Sequence, residues 1–215
     1  MRALQAELEK GLKQLQLELT DAQLGQLLDY LELLQKWNRV YNLTAVRDPQ
    51  EMLTHHLLDS LAAVRPLQRH VEQNGARTLL DVGSGGGLPG VVFAICCPEL
   101  QVSCVDTVGK KAAFIQQAAA GLRLTNLRGI HARVEKLTDT YDVVSSRAFA
   151  TLKDFTDWSE QALTNDGVWL AMKGKEPVVE MAQLSAGVEV FHVEQLTVPM
   201  LDAQRCIVWI RKSMG

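Results

Sequence analysis

The sequence contains no long hydrophobic run. Its 215 residues include no stretch of the roughly 18 apolar residues that a membrane-spanning helix needs. Its first residues, MRALQAELEKGLKQLQ, carry acids and glutamines where a signal peptide has an apolar core. We therefore expect a cytoplasmic protein with no membrane partner.

The sequence also has no excess of basic residues. Lysine and arginine number 22 against 25 acidic residues, a net charge of −3. The overall charge therefore does not favour nucleic-acid binding. A local basic patch is still compatible with a net charge of −3. Hydrophobic residues make up 47% and charged residues 22%, which is ordinary globular usage and excludes disordered and collagen-like chains. The length suits one domain with an extension.

The four cysteines lack any pairing pattern. Cys96, Cys97, Cys104 and Cys206 form no CxxC pair and no zinc-binding spacing. Cys96 and Cys104 lie in apolar runs, where a reduced, buried cysteine is the usual occupant. We expect core thiols in a reducing compartment.

Residues 1–75 predict a helical extension. Leucines recur there at three- and four-residue steps in two successive stripes, each marking one apolar helix face. Thr20 with Gln23 is a capping box that starts the second helix, and Asp48 before Pro49 marks the start of a third. Such stripes are typical of helices packed on a neighbouring domain.

The third predicted helix carries His55 and His56, with Asp59 one turn further on. Steps of one and four residues on a helix do not bring three ligands to one ion, so we predict no metal site. His55 falls on the apolar face with Met52 and Leu58, and we expect it to pack there.

From residue 76 onward, short apolar runs alternate with helix-like segments. This alternation predicts βαβ units and a parallel sheet buried on both faces, so residues 76–215 form an α/β domain. The last two strand candidates are joined by a loop with no room for a helix, so they should pair antiparallel. The predicted strands are 78–82, 102–106, 141–146, 168–173, 188–196 and 206–211, and the predicted helices are 89–97, 109–121 and 152–163.

The most informative segment is the glycine-rich loop DVGSGGGLPG, from Asp81 to Gly90. It follows the first predicted strand and opens a helix. Glycines permit positive φ and let a ligand approach the backbone closely. Ligands of open parallel sheets bind beyond the carboxyl ends of the strands, so the loop predicts a small-molecule site.

Two cofactors fit this loop. Gly85-x-Gly87-x-x-Gly90 satisfies the dinucleotide fingerprint. Gly83-x-Gly85-x-Gly87, with Asp81 before it, satisfies the pattern of S-adenosylmethionine (SAM) methyltransferases. An acid at this point would face the cationic methionine end of SAM but would repel a pyrophosphate.

A second acid, Asp106, ends the second predicted strand. It lies about 20 residues beyond the loop, where a carboxylate accepts hydrogen bonds from ribose hydroxyls in either cofactor. Loop, strand and acid together predict a nucleoside-containing ligand.

Two common methylation devices are missing beside the strand at 141–146. Attack on pyrimidine C5 needs a nucleophilic cysteine there, and methylation of an exocyclic amine commonly uses an Asn/Asp-Pro-Pro-aromatic loop. The chain has SSRAFA at 145–150 instead. A ring nitrogen such as guanine N7 has a free lone pair and no proton to lose, so positioning can suffice. We therefore name no general base.

Five motifs, taken in order and spacing, resemble one known family. The chain resembles the bacterial small-subunit rRNA guanine-N7 methyltransferases of the RsmG type, also called GidB, from about residue 19 to residue 211. The motifs are KWNRVYNLT (36–44), HLLDS (56–60), the glycine loop, SRAFA (146–150) and KG (173–174).

The resemblance implies a class I SAM-dependent methyltransferase fold behind an N-terminal helical extension. Such a fold has a Rossmann-like, mostly parallel sheet of seven strands with the last strand antiparallel. The resemblance also implies transfer of a methyl group from SAM to N7 of one guanine, guanine 527, of 16S rRNA.

The resemblance adds contacts to the cofactor site. Val134 and Glu135 would bracket the adenine edge, and Arg147 would reach either the cofactor carboxylate or an RNA phosphate. With the residues of the glycine loop, the predicted site comprises Asp81, Gly83, Gly85, Gly87, Leu88, Asp106, Val134, Glu135 and Arg147.

Several further side chains are candidates for RNA contact. Phe149 either stacks on the target guanine or belongs to the core. Lys173 and Lys175 either meet the RNA backbone or form a solvated pair. Local positive charge of this kind would offset the net negative charge and make binding salt-dependent. The full set is Arg39, Arg47, Arg123, Arg147, Phe149, Lys173 and Lys175.

The expected partner is 16S rRNA, in the small ribosomal subunit or an assembly intermediate, and we expect a monomer. Three alternatives stay open. One is a class I methyltransferase acting on another RNA or a small molecule. The second is a nicotinamide-dependent oxidoreductase that uses the overlapping glycine frame. The third is a non-catalytic RNA-binding assembly factor.

Overall fold

A seven-stranded sheet organises the protein in a computed structural model that describes residues 2–213. The strands are β1 (Thr78–Val82), β2 (Gln101–Asp106), β3 (Leu127–His131), β4 (Tyr141–Arg147), β5 (Leu163–Lys173), β6 (Val188–Leu196) and β7 (Arg205–Lys212). Their order across the sheet is β3-β2-β1-β4-β5-β7-β6. The pairs among β1 to β5 are parallel, whereas β7 is antiparallel to both β5 and β6.

Helices flank the sheet and precede it in the chain. They are α1 (Arg2–Leu15), α2 (Asp21–Tyr41), α3 (Pro49–Met52), α4 (Asp59–Leu61), α5 (Val64–Asn74), α6 (Gly90–Cys96), α7 (Gly109–Gly121), α8 (Leu152–Ser159) and α9 (Val178–Met181). A π-helix (Leu53–Leu58) joins α3 to α4, and short 3₁₀ turns lie at Val134–Lys136 and Glu160–Ala162.

The predicted α/β class and the antiparallel tail are confirmed. The tail strands pair with each other, and β7 inserts between β5 and β6. The apolar pattern missed only β3, which lies at the edge of the sheet. An edge strand is half-exposed, so the residues of β3 show no apolar run like those that revealed the central strands.

The predicted helix starts are also confirmed. The Thr20 hydroxyl accepts a hydrogen bond from the Gln23 backbone amide, and the Gln23 side-chain oxygen accepts one from the Thr20 backbone amide, which completes the capping box of α2. Asp48 accepts from the amides of Gln50 and Glu51 and caps α3. These bonds satisfy donors that a helix start otherwise leaves free.

The N-terminal helices share a continuous hydrophobic core with one face of the sheet. Leu8, Leu27 and Leu57 are fully buried in the same cluster as Phe93 and Ile115, which lie on α6 and α7. A second cluster covers the opposite face and includes β4, α8 and β7 residues. The division of the chain at residue 75 stays a prediction.

One helix differs from its sequence prediction. The π-helix shifts the residues after Met52, because a π turn holds more residues than an α turn. His55 is exposed as a result and His56 is buried. The prediction that His55 packs on the apolar face was therefore wrong.

The cysteines are free thiols, all four of them buried as predicted. Burial raises the pKa of Cys96 to about 12. Within residues 2–213, no helix is long and apolar enough to cross a membrane. The same residues contain no cluster of three or more possible metal ligands.

Candidate functional site

The glycine loop turns sharply between β1 and α6. Gly83, Gly85 and Gly87 have φ values of +66°, +58° and +88°, a region that favours glycine because a Cβ is strained there. The Gly83 and Ser84 amides donate to the carbonyl of Val105 on β2, at 2.9 and 3.3 Å. The loop is thereby fastened across the carboxyl ends of two neighbouring strands.

Asp81 supports the loop from below. Its carboxylate is fully buried and accepts hydrogen bonds from the Gly90 amide and the Ser145 hydroxyl, both at 3.0 Å. Burial raises the pKa of Asp81 to about 7, and the two hydrogen bonds lower it only in part. Asp81 lines neither of the two cavities described next, so the structure gives it a supporting place under the loop.

Asp106 lies at the end of β2 and points its carboxylate at the loop. Its two oxygens accept from the amides of Gly85 and Val108, at 3.0 and 2.8 Å. Lys111 Nζ lies 3.8 Å away. The carboxylate is therefore fixed in place by backbone donors on both sides.

A cavity of about 570 Å³ opens beside Asp106 and is called the Asp106 cavity below. Val134 and Glu135, which the family resemblance gives for the adenine edge, line this cavity. Glu135 also pairs with Arg133 at 2.9 Å. The exposed ring of Trp158 forms another wall and was not predicted from the sequence.

A second cavity of about 510 Å³ lies on the other side of the loop and is called the Arg147 cavity. Gly85, Leu88, Arg147 and Lys173 line it. Gly83 and Ala148 line both cavities, so the two meet there.

Ala148 separates the side chains on either side of it. It has a φ of +52°, and Arg147 before it lines one cavity while Phe149 after it lines the other. The Phe149 ring packs on Gly83 and meets the Phe155 and Trp158 rings edge-on, with centroids 6.4 and 5.9 Å apart. Phe149 thus belongs to an aromatic cluster beside the Asp106 cavity, and stacking on a target base stays a prediction.

A buried carboxylate joins two arginines on the wall of the Arg147 cavity. Arg147 Nη1 lies 2.8 Å from Asp59 Oδ2, and Arg205 Nε lies 2.7 Å from Asp59 Oδ1. The Asp59 side chain is 5% exposed. Sequence reasoning missed Arg205 and considered Asp59 only as a metal ligand. A signal was available, because an antiparallel last strand brings its amino end to the edge where the parallel strands end.

His56 lies in the same wall. Its Nε2 is 2.7 Å from the Thr44 hydroxyl, and its Nδ1 is buried with no hydrogen-bond partner in residues 2–213. Burial, and then the Arg147 guanidinium, lower the pKa of His56 to about 4. The imidazole is therefore neutral at physiological pH.

The candidate RNA residues are spread more widely than predicted. Lys173 lines the Arg147 cavity, but its Nζ donates to the Ala150 carbonyl at 3.0 Å and to Glu180 at 2.8 Å. Lys175 is exposed two residues further on. Arg123 follows α7 and precedes β3, so it lies at the opposite edge of the sheet from the loop. The structure does not bring Arg123 together with the other candidates.

Arg39 and Arg47 lie on the N-terminal helical region. Both are exposed and line one small crevice of about 180 Å³. Arg47 donates to the Asn42 side chain at 3.0 Å. Asn42 has a left-handed conformation and ends α2, and Asn38 holds the following loop through Thr44 and Val46, so both asparagines shape the helix exit.

These features define a class. The protein has the class I SAM-dependent methyltransferase fold. This fold combines a mostly parallel sheet in which β7 is reversed, a three-glycine turn after β1 and an acid at the end of β2. The predicted fold class is confirmed. The solved structure of the N-methyltransferase NodS from Bradyrhizobium japonicum WM9, in complex with S-adenosyl-L-homocysteine, has this fold. It aligns with a TM-score of 0.60 at 11% identity, over 85% of this chain and 99% of that one.

The family follows from sequence. The profile of GidB, rRNA small subunit methyltransferase G, matches residues 23–208. The chain is 71% identical to the ribosomal RNA small subunit methyltransferase G of Acidovorax sp. (strain JS42), over 95% of this chain and 93% of that protein. It is 67% identical to the protein of the same name from Polaromonas sp., over 98% and 95%. The chain belongs to this family, and the resemblance read from the five motifs is confirmed.

Proposed function

We propose that the protein transfers a methyl group from SAM to N7 of a single guanine, guanine 527, of 16S rRNA. One observation carries the proposal: two cavities of different character meet at Gly83, at the carboxyl edge of the sheet of an rRNA methyltransferase family member. The Asp106 cavity suits a nucleoside, and the Arg147 cavity has a cationic wall that suits an anion.

The residues present fit SAM. Each Asp106 oxygen accepts one backbone hydrogen bond, and a carboxylate oxygen has two lone pairs, so acceptors remain for both ribose hydroxyls. A Cβ on Gly85 would meet nothing nearer than the Gly83 carbonyl at 4.0 Å, so the space above the loop is open to a ligand. Val134, Glu135 and the Trp158 ring would surround the adenine.

The chain's own residues bind and align the reactants. When bound, SAM supplies an electrophilic methyl group on a sulfonium. Asp106 would hold the ribose, and the rigid glycine loop would orient the bound cofactor. The methyl group would pass to the lone pair of guanine N7, and the electrons of the S–CH₃ bond would stay on sulfur.

No general base is needed for this transfer. Guanine N7 carries no proton, so the product is a cationic N7-methylguanine and no proton leaves. The rate gain then comes from proximity and orientation, which can supply about 7–11 kcal/mol of the barrier. His56, a buried titratable group that lines the Arg147 cavity, is neutral and hydrogen-bonded to Thr44. It therefore forms part of the cavity wall.

The cofactor is tested by calorimetry with SAM, S-adenosyl-L-homocysteine and NAD. The proposal predicts that both adenosyl ligands bind and that NAD does not. Binding of NAD without SAM would favour the oxidoreductase alternative and overturn the proposal.

The substrate is tested with labelled SAM and 16S rRNA presented in three forms: naked, in the mature small subunit, and in assembly intermediates. We expect labelling in at least one form, at one guanine. If SAM binds but no form is labelled, the protein is an RNA-binding assembly factor. Labelling of another RNA alone would indicate a different substrate.

A further inference from the structure

The N-terminal helical region places one side chain inside the site. Asp59 belongs to α4, yet its two carboxylate oxygens contact arginines from the end of β4 and the start of β7. Arg147 Nη1 also donates to the His55 carbonyl at 3.0 Å, and Arg205 Nη1 donates to the Gln204 carbonyl at 2.8 Å. Both guanidinium groups are thus oriented by fixed acceptors.

The charge on this wall is not balanced. One carboxylate faces two guanidinium groups, which leaves an excess of one positive charge. Lys173 does not add to it, because Glu180 pairs with Lys173 at 2.8 Å. The arginine side chains are 18% and 24% exposed and line the cavity. Among the described contacts Arg147 uses only Nη1, so other donors of its planar fork are free for a ligand.

We propose that Asp59 is a positioning residue that holds Arg147 and Arg205 side by side, and that the pair binds an anionic oxygen group in the Arg147 cavity. The group is a carboxylate or a phosphate, from the amino-acid end of the cofactor or from the RNA backbone. This inference rests on the proposed function and adds Asp59 and Arg205 to its site.

Preorganisation is the physical reason for such a residue. Arginine has a long side chain with many rotamers, and fixing it before binding removes an entropic cost from the ligand. A guanidinium that keeps two aligned donors free recognises carboxylate and phosphate in a bidentate way. Because Asp59 contacts both arginines, one carboxylate fixes the orientation of both guanidinium groups.

Three variants test the inference. Asp59→Asn keeps one acceptor but turns an amide donor toward one arginine. Arg205→Lys keeps the charge and loses the fork, and it changes a partly exposed side chain, so it serves if Asp59→Asn fails to fold. Glu194→Gln is the control. Glu194 lies on β6, pairs with Arg69 and lines neither cavity, so the variant removes an ion pair away from the site. For each, the thermal midpoint, the affinity for S-adenosyl-L-homocysteine, and kcat and KM for 16S rRNA are measured.

We expect Asp59→Asn and Arg205→Lys each to lower kcat/KM by roughly tenfold to 100-fold, the loss that misplacement of a binding group causes. Glu194→Gln should change it less than twofold. A fall in S-adenosyl-L-homocysteine affinity with unchanged KM for RNA identifies the cofactor carboxylate as the ligand. A raised KM for RNA with a weaker salt dependence and unchanged cofactor affinity identifies a phosphate.

The inference is overturned if Asp59→Asn and Arg205→Lys lower the thermal midpoint but leave affinity, KM and kcat unchanged, since that is the result of a purely structural ion pair. The cofactor measurement separates this failure from failure of the proposed function. The affinity of each variant for S-adenosyl-L-homocysteine can be measured even if the wild type methylates no rRNA, so the inference is tested independently of the methyl transfer.

Discussion

The ring of Phe149 packs directly on Gly83 at the ligand edge of the sheet. A Cβ built on Gly83 would lie 2.2 Å from Phe149 Cδ2, far inside van der Waals contact. Gly83 also has a φ of +66°. Gly83 lines both cavities. A side chain at this position would therefore change the shape of the junction between them.

Gly83→Ala should therefore lose cofactor binding and keep the fold. The left-handed conformation costs alanine about 1–2 kcal/mol, and the ring of Phe149 must move away from the loop. We expect the affinity for SAM, measured by calorimetry, to fall at least tenfold, which corresponds to about 1.4 kcal/mol.

Gly25→Ala is the matched control for this prediction. Gly25 lies within α2, and a Cβ there meets no atom within 4 Å. Replacing a glycine inside a helix by alanine stabilises the protein by roughly 1 kcal/mol, and here it should leave the affinity for SAM unchanged. Equal affinities for the wild type and Gly83→Ala would remove Gly83 from the site.

Asp81 and His56 have pKa shifts of opposite effect on stability. Burial raises the pKa of Asp81 from 3.8 to about 7, so the stability this group contributes is present below pH 3.8 and is lost as the pH rises through about 7. Burial lowers the pKa of His56 from 6.5 to about 4, so its contribution is present above pH 6.5 and is lost as the pH falls through about 4. In the wild type the two effects partly cancel.

Asp81→Asn should remove the contribution of Asp81 to the pH dependence of stability and leave that of His56. Asparagine can accept from Gly90 and donate to Ser145, so it replaces both hydrogen bonds without a proton to titrate. We expect the free energy of unfolding of the variant to rise, relative to the wild type, by about 1.4 kcal/mol per pH unit between about pH 4 and 7. Urea unfolding across that range measures the difference, and a constant difference would contradict the assignment.

At the scale of elements, α2 fastens the glycine loop. The Tyr30 hydroxyl donates to the Gly86 carbonyl at 2.6 Å in a buried environment. Burial raises the pKa of Tyr30 well above its usual value, so the hydroxyl stays protonated and remains a donor. The helical region therefore has a second link to the site besides Asp59.

Tyr30→Phe should loosen that link. It leaves a buried carbonyl without its donor, which costs about 1–3 kcal/mol of unfolding free energy, and we expect a weaker affinity for SAM as the loop becomes less ordered. Tyr41→Phe, at the exposed end of α2, should change neither quantity. Loss of stability in Tyr30→Phe with unchanged SAM affinity would show that α2 supports the fold but not the loop.

The elements could be predicted where local pattern and burial agree. Strands β1 and β6 have the predicted bounds and α7 begins and ends as predicted, because each has a clear apolar pattern with turn residues at its ends. The edge strand β3 could not be found in this way. There Gly129 packs against α7, and a Cβ would lie 2.6 Å from the Ala112 carbonyl, so its identity reflects a tertiary contact that no local pattern records.

For the molecule as a whole, binding to RNA requires positive charge concentrated on one part of the surface. The net charge of −3 opposes binding to RNA, while Arg147, Arg205 and the exposed Lys175 lie at the carboxyl edge of the sheet. We therefore expect recognition through a limited number of phosphate contacts.

The affinity for 16S rRNA should then fall as salt rises. The slope of log K against log salt reports the number of phosphates neutralised, and Lys175→Ala should reduce it by about one. Asp166→Asn, at an exposed position near the start of β5, gives a surface control. Filter binding at increasing salt measures the slopes, and an affinity that does not change with salt would contradict the basic edge.

Motif, strand ends and family resemblance could select those residues of the candidate site that lie near a single strand end. Of these, Gly83, Gly85, Leu88, Asp106, Val134 and Glu135 line the two joined cavities. The pairing of Asp59 with Arg205 spans 146 positions of the chain. It depends on the antiparallel insertion of β7, which the predicted antiparallel tail indicated in part, and on the π-helix, which no motif or periodicity indicated.

The most direct test of the account is the identity of the methylated atom. Purified protein is incubated with SAM and 16S rRNA or small-subunit particles, and the nucleosides are analysed by mass spectrometry after the labelled position is mapped. We expect N7-methylguanosine at one position, guanine 527, formed at least tenfold more slowly by Gly83→Ala than by the wild type at subsaturating SAM. Methylation at another atom or another base, or equal product from both proteins, would contradict it.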